Sequence, residues 1–289
     1  MMAMHNATLV ARTDFRLPLI AEASALCDKS FFCPCCGACL AQWGATGTPR
    51  RFGMCPRCGS AERQKAVCYA LGMETPRALG PRRVARSALL AYFGAPPKHA
   101  RQIEQSFPQI HQLLRLDLLV QGYRYERATI KADVQSIPLS DGALDGIIIL
   151  HVLEHVVSLN QSIRQLHRVL APGGFILHET PCPKPARAGD FSVLDCAAER
   201  KRRAAGETIE TVCNQNDHQY AYSCPHLLRA FEAGGFDCAP MPQQIRPDQS
   251  DRFLGVDMPI TPTTPGYGGR FSCYKKRRAD SERLSRKVG

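Results

Sequence analysis

The stretch that decides the fold is "DGIIILHVLEHVVSL", residues 145–159. At its centre His151, Glu154 and His155 stand in the order H-x-x-E-H, the ligand spacing of one class of zinc peptidases. In such an enzyme both histidines lie inside one helix, with Glu154 beside the metal and a third ligand downstream. The flanks read otherwise. Residues 147–150 are a continuous apolar run of strand length that ends at His151. Beyond it Val156, Leu159, Ile163, Leu166, Val169 and Leu170 recur at spacings of three and four, one buried helical face, and "APGG" at 171–174 stops the helix. His151 is therefore expected at the carboxyl end of a buried strand, the edge where open α/β sheets bind ligands. The peptidase reading is set aside.

Outward from this stretch, strand and helix patterns alternate. "SALLAYFG" reads as a strand, "KHARQIEQSF" as a helix, "HQLLRLDLL" and "ATIKAD" as strands, then "LDGIIIL", the helix, and "GGFILHET". This alternation predicts an α/β fold, a Rossmann-like, mainly parallel sheet with helices on both faces.

In front of the sheet lie two copies of C-P-x-C-G, Cys33–Gly37 and Cys55–Gly59, with 18 residues between Cys36 and Cys55. Each C-x-x-C turn brings two thiolates to one tetrahedral ion, and the following glycine permits the tight turn. Cys33, Cys36, Cys55 and Cys58 are the expected ligands of a structural Zn2+. Cys35 and Cys39 leave the first pair open, because Cys36 and Cys39 share the same spacing. The remaining eight of 14 cysteines are scattered singly and are expected as free thiols in a reducing, cytoplasmic setting.

No run approaches the roughly 18 apolar residues of a membrane span, so no membrane partner is expected. The net charge of +11 is concentrated at the end: residues 270–289 hold eight Lys/Arg against Asp280 and Glu282. The division expected is 1–27, an N-terminal segment; 28–77, zinc ribbon and connecting helix; 78–277, the catalytic body with a substrate-side insertion at 181–222; and 278–289, a basic tail.

The run from Ala132 to Pro181, "ADVQSIPLSDGALDGIIILHVLEHVVSLNQSIRQLHRVLAPGGFILHETP", resembles the central block of class I S-adenosylmethionine-dependent methyltransferases. With "CPCCG…CPRCGSAERQKAVCYAL" before it and "NQNDHQYAYSCPHLLRAFEAGGF" after it, the chain resembles a bacterial subgroup carrying an N-terminal zinc ribbon. The resemblance implies S-adenosylmethionine as cofactor, Asp133 and Val134 at its adenine, and Asp117 at its ribose hydroxyls, 23 residues past Gly94 in the first loop. His151 and Glu154 are implied to line the cofactor or substrate side, with His155 packing beneath the next helix. Asp133, His151 and Glu154 converge if the third and fourth strands of the body are parallel neighbours. The first loop, "LLAYFGAPPKHA", departs from the family's glycine-rich turn: Gly94 is its one glycine, and no carboxylate precedes Lys98.

The implied reaction is in-line displacement at the sulfonium methyl, which requires alignment of nucleophile and sulfur at about 3 Å. His218 in "NDHQY", His151 and His178 are the candidate bases for an alcohol or amine acceptor. A small-molecule or glycan-type acceptor is the first reading. An RNA methyltransferase using ribbon and tail is the second, opposed by a ribbon with one tryptophan, Trp43, and no interleaving of aromatics with basic residues. A non-catalytic binding protein, motivated by the first loop, is the third.

Overall fold

The computed structural model describes residues 27–28, 31–44, 53–61, 63–72, 88–107, 110–118, 128–181, 193–207, 218–240 and 270–275. The tail 278–289, most of the N-terminal segment, Cys182 and Cys213 lie outside them. No helix among the described residues is long and apolar enough to cross a membrane.

A seven-stranded sheet forms the centre. Its strands are β3 (Ala88–Phe93), β4 (Ile110–Asp117), β5 (Ile130–Lys131), β6 (Leu144–Leu150), β7 (Leu170–Glu179), β10 (Phe236–Pro240) and β11 (Arg270–Lys275), in the spatial order β10-β11-β7-β6-β3-β4-β5. Six point the same way, and β11 runs antiparallel to both of its neighbours, β7 and β10. The strands carrying Asp133 and His151 are not neighbours, contrary to the expectation: β3 and β4 stand between β5 and β6. The chain moves from β3 outward to β4 and β5, then returns to β3's other side with β6. That reversal is set by connection order, which no local pattern in β5 or β6 encodes.

Strand periodicity sorts the core into two halves. Leu90, Tyr92, Ile148, Leu150 and Leu177 point to one face, whereas Ala91, Phe93, Ile147, Ile149 and Ile176 point to the other. The second face is covered by α3 (Leu159–Val169), through Leu159, Ile163, Leu166 and Val169, and by α5 (Cys224–Ala233), through Leu227 and Phe231. The N-terminal ends of these helices are satisfied by Ser158, accepting from Gln161 N, and Ser223, accepting from His226 N. Gly146 lets β6 and β7 approach: a Cβ there would lie 2.4 Å from the Phe175 ring.

The first face is shared by α1 (helical residues 63–72), α2 (Pro97–Ser106) and the cysteine-rich front of the chain. There β1 (Phe31–Cys33) and β2 (Ala38–Leu40) form a hairpin, and Gly44 pairs with Met54. Ser106 Oγ donates to Cys35 O at 2.9 Å and Gln102 Nε2 to Cys58 O at 3.3 Å. The cysteine-rich segment is thus one of the layers that cover the sheet.

The free-thiol expectation fails at four of the eight single cysteines. Cys238 and Cys273 are register partners on β10 and β11, 4.1 Å apart at Cα, and are disulfide-bonded. Cys27 is bonded to Cys39, and Cys196 is disulfide-bonded as well. Cys68 and Cys224 are not disulfide-bonded. Sequence spacing carries no information on which strands face one another, and so missed these pairs.

Beneath the first face, His99 is buried with Nδ1 3.0 Å from Tyr92 Oη and Nε2 3.6 Å from Cys68 Sγ. Burial pushes its imidazole down to about 4. Since the unfolded ring takes a proton near pH 6.5, the stability from keeping it neutral is full above that pH and is lost as the pH falls towards 4. Over this window the loss should reach about 3 kcal/mol. In denaturant titrations His99→Gln should show a correspondingly smaller acid loss than wild type.

Candidate active site

The crevice lies where β3 and β6 part. One connection leaves β3 towards β4, and the connections from β6 lead the opposite way, so the loops beyond these strand ends diverge and open a cavity of about 400 Å³. Gly94 makes the first turn at φ +65° and donates its N–H to Leu116 O at 3.1 Å. Gly94, Asp117, Asp133, Val134 and His151, all expected from the sequence, line this cavity.

Asp133 is held by its own turn. Its Oδ1 accepts from Gln135 N at 2.8 Å, and Gln135 Nε2 donates to both carboxylate oxygens at 3.3 and 3.2 Å. Gln135 Oε1 in turn accepts from Ser158 N at 2.8 Å, which ties the loop to the start of α3. Arg168 secures the far side of this loop by donating to Ile137 O and Leu139 O at 2.7 Å. Asp117 closes β4, and its carbonyl accepts from Ala132 N at 2.9 Å.

His151 takes a left-handed backbone conformation, φ 54°, rare for a residue with a side chain. Its N–H donates to Glu179 O at 2.8 Å. Its ring bridges two buried carboxylates: Nδ1 lies 3.3 Å from Glu154 Oε1 and Nε2 3.3 Å from Glu179 Oε1. Burial alone depresses this imidazole, but the two carboxylates outweigh burial and raise it to about 9. At neutral pH the ring is thus a cation held between the two carboxylates. Arg63 Nη1 also stands 3.5 Å from Nε2. With that nitrogen protonated Arg63 cannot donate to it, and Glu179 offsets the two cations.

The other expected residues sit around this centre. Glu154 is buried beneath the cavity, in the 3₁₀ turn Leu153–His155. His155 borders the cavity rather than packing beneath α3, and its ring meets that of His218 edge-on at 4.9 Å. His218 is buried behind it, immediately before β9 (Tyr220–Tyr222). His178 is fully buried on β7 against Phe231, with Nε2 2.8 Å from Thr180 Oγ1, and does not border the cavity. Arg63, Gln64, Gln135 and Gln219 line the cavity without having been singled out. Arg63 stands five residues after Cys58, and Gln219 follows His218, so both neighbour motifs that had been read for other purposes.

The structure brings Cys33, Cys36, Cys55 and Cys58 together, their sulfurs all within 4.8 Å of one another. The Cys33–Cys58 and Cys36–Cys55 separations are both 3.8 Å, the edge of a tetrahedron with Zn–S bonds of about 2.3 Å. Gly37 and Gly59 adopt φ +65° and +73° behind the two turns. The neighbouring thiols, Cys33 first and then Cys55 and Cys58, hold the Cys36 thiol well above its ordinary range. Of the other two cysteines near the first turn, Cys39 is bonded to Cys27, and Cys35 is turned towards Cys68 and His99.

Residues 95–178, from the turn after β3 to the end of β7, match the family described as methyltransferase domain. Over these residues the chain is similar to a methyltransferase domain. Over 59 residues it is 36% identical to the human mitochondrial 2-methoxy-6-polyprenyl-1,4-benzoquinol methylase and, to the same extent, to that of Pongo abelii. The match covers 20% of this chain and 18% of each relative, so the chain spans under a fifth of the length of the curated relatives it matches. Among solved structures, the YcgJ protein of Bacillus subtilis is similar at 13% identity and TM-score 0.45, over 72% of this chain and 99% of that one. The CurJ carbon methyltransferase is similar at 14% identity and TM-score 0.44, over 74% of this chain and 54% of that one.

Proposed function

We propose that the protein transfers a methyl group from S-adenosylmethionine to a small-molecule or glycan-type acceptor. The observation that carries this reading is the convergence of Gly94, Asp117, Asp133, Val134 and His151, drawn from four separate stretches of the methyltransferase domain, on one cavity. Its volume of about 400 Å³ lies in the ordinary range for a cofactor-sized ligand. When bound, S-adenosylmethionine supplies an electrophilic methyl on a sulfonium. Asp117 offers a carboxylate to the ribose hydroxyls. Asp133 retains lone pairs for an exocyclic amine beyond those given to Gln135, since a carboxylate accepts about four hydrogen bonds. Val134 supplies an apolar wall for the adenine. The His151 cation is fixed between Glu154 and Glu179 at the cavity wall, while His155 and His218 are the groups set to engage the acceptor.

We further propose that Cys33, Cys36, Cys55 and Cys58 hold a structural Zn2+. Its role is to fix the start of α1, from which Arg63 and Gln64 reach the cavity. Trp43, the aromatic that a nucleic-acid reading would use for stacking, is already covered by Lys65, whose Nζ stands 3.5 Å over the ring and donates to Gly53 O at 2.7 Å. This favours an acceptor smaller than RNA.

In calorimetric titration the full chain should bind S-adenosylmethionine. Asp117→Ala and Asp133→Ala should each weaken it about ten- to a hundredfold, about 1–3 kcal/mol, whereas His218→Ala should lower turnover and leave cofactor affinity unchanged. Absence of binding at millimolar cofactor would overturn this reading in favour of a non-catalytic protein. Cys55→Ser and Cys58→Ser should lose the cluster's zinc and, through displacement of Arg63, bind cofactor more weakly. Full zinc content in both variants would contradict the assignment.

A further inference from the structure

The H-x-x-E-H spacing does not build a peptidase, yet two of its members meet a third ligand from elsewhere. Glu154, His155 and His218 each present one ligand atom, and these three atoms lie within 4.8 Å of one another. The residues come from two segments that are fastened together: Gln219 N donates to Glu154 O at 2.8 Å, and the two imidazoles meet edge-on. Glu154 is 1% exposed and His218 6%, while the His155 side chain is 31% exposed and borders the cavity.

The carboxylate is poised for a cation. Glu154 Oε2 accepts from Thr180 Oγ1 at 3.3 Å, the kind of contact that orients a metal-binding carboxylate. Glu154 Oε1 is fully buried and faces two imidazoles, with His151 Nδ1 at 3.3 Å and His155 Nε2 at 4.0 Å. Two imidazoles and one carboxylate are the donor set of open zinc and non-haem iron sites, which keep coordination positions for substrate. The four-cysteine cluster, by contrast, is closed.

We propose that Glu154, His155 and His218 bind a divalent transition-metal cation at the rim of the cavity, its open positions turned to an oxygen donor of the methyl acceptor. Metal binding stands on the geometry alone, whereas the acceptor's role rests on the methyltransferase reading. His218 then acts as a ligand, and the acceptor class narrows to molecules with an ionisable oxygen.

The test uses the full chain with zinc in the four-cysteine cluster, titrated with Co2+ in the absence of S-adenosylmethionine. A second equivalent should bind, with a visible spectrum that lacks sulfur-to-cobalt charge transfer. His155→Ala and His218→Ala should each weaken it by about a hundredfold or more, and Thr180→Val, which removes the hydroxyl shared by Glu154 and His178, by about tenfold. His155→Ala alters a half-exposed residue and keeps the test sound if His218→Ala fails to fold. No second equivalent in wild type, or equal uptake by the two histidine variants, would overturn the proposal. So would a sulfur charge-transfer band, which would put the metal at Cys35, Cys68 and His99. Uptake of the second equivalent by a protein that binds no S-adenosylmethionine would sink the methyltransferase reading and leave the metal site standing.

Discussion

The parallel pairing of β3 with β6 is the constraint on which the rest depends. These two strands are sequence-distant, yet Leu90 to Phe93 lie in register with Gly146 to Ile149, and the Gly146 backbone accepts Phe175 and Leu90 at distances no side chain would allow. With the central strands locked in this way, their carboxyl ends are level and their connections must depart in opposite directions. A crevice at that point follows from topology, before any polar group is considered. Gly94 and His151, each one residue past its strand and each at positive φ, are the two places where the backbone turns away to leave it open.

A second constraint acts from the front of the chain. The cysteine-rich segment covers one sheet face together with α1 and α2, and Arg63 of α1, five residues after Cys58, lines the cavity. A metal in that cluster would therefore be coupled to the site through one short stretch of backbone. Such a metal would set the position of a helix start without itself lining the cavity. If the cluster holds a metal, folding of the front and loading of that metal should be linked.

Much of this was legible in the residues. The four-residue apolar run before His151 was enough to set the strand, the helix spacing after it gave the buried face of α3, and the paired C-P-x-C-G turns gave the sulfur cluster. These are local patterns, and local patterns survive without coordinates. What was not legible was relational. The separation of β5 from β6 depends on the order of connections. The Cys238–Cys273 bond depends on β10 and β11 being antiparallel neighbours. His155 was read as packing because nothing near it in sequence reveals that His218, 63 residues on, stands against its ring. Asp133 illustrates the middle case: its place at the cavity was legible, but its engagement by Gln135 was not, because an Asx-type turn and a ligand contact use the same side chain.

The proposed methyl transfer stands on cofactor binding in the crevice at the β3/β6 parting. A crystal structure of the full chain with S-adenosylhomocysteine should show the nucleoside in this crevice, the ribose hydroxyls on the Asp117 carboxylate and the adenine between Val134 and the Asp133 turn. A nucleoside bound elsewhere on the sheet, or a crevice left to solvent at saturating ligand, would contradict it.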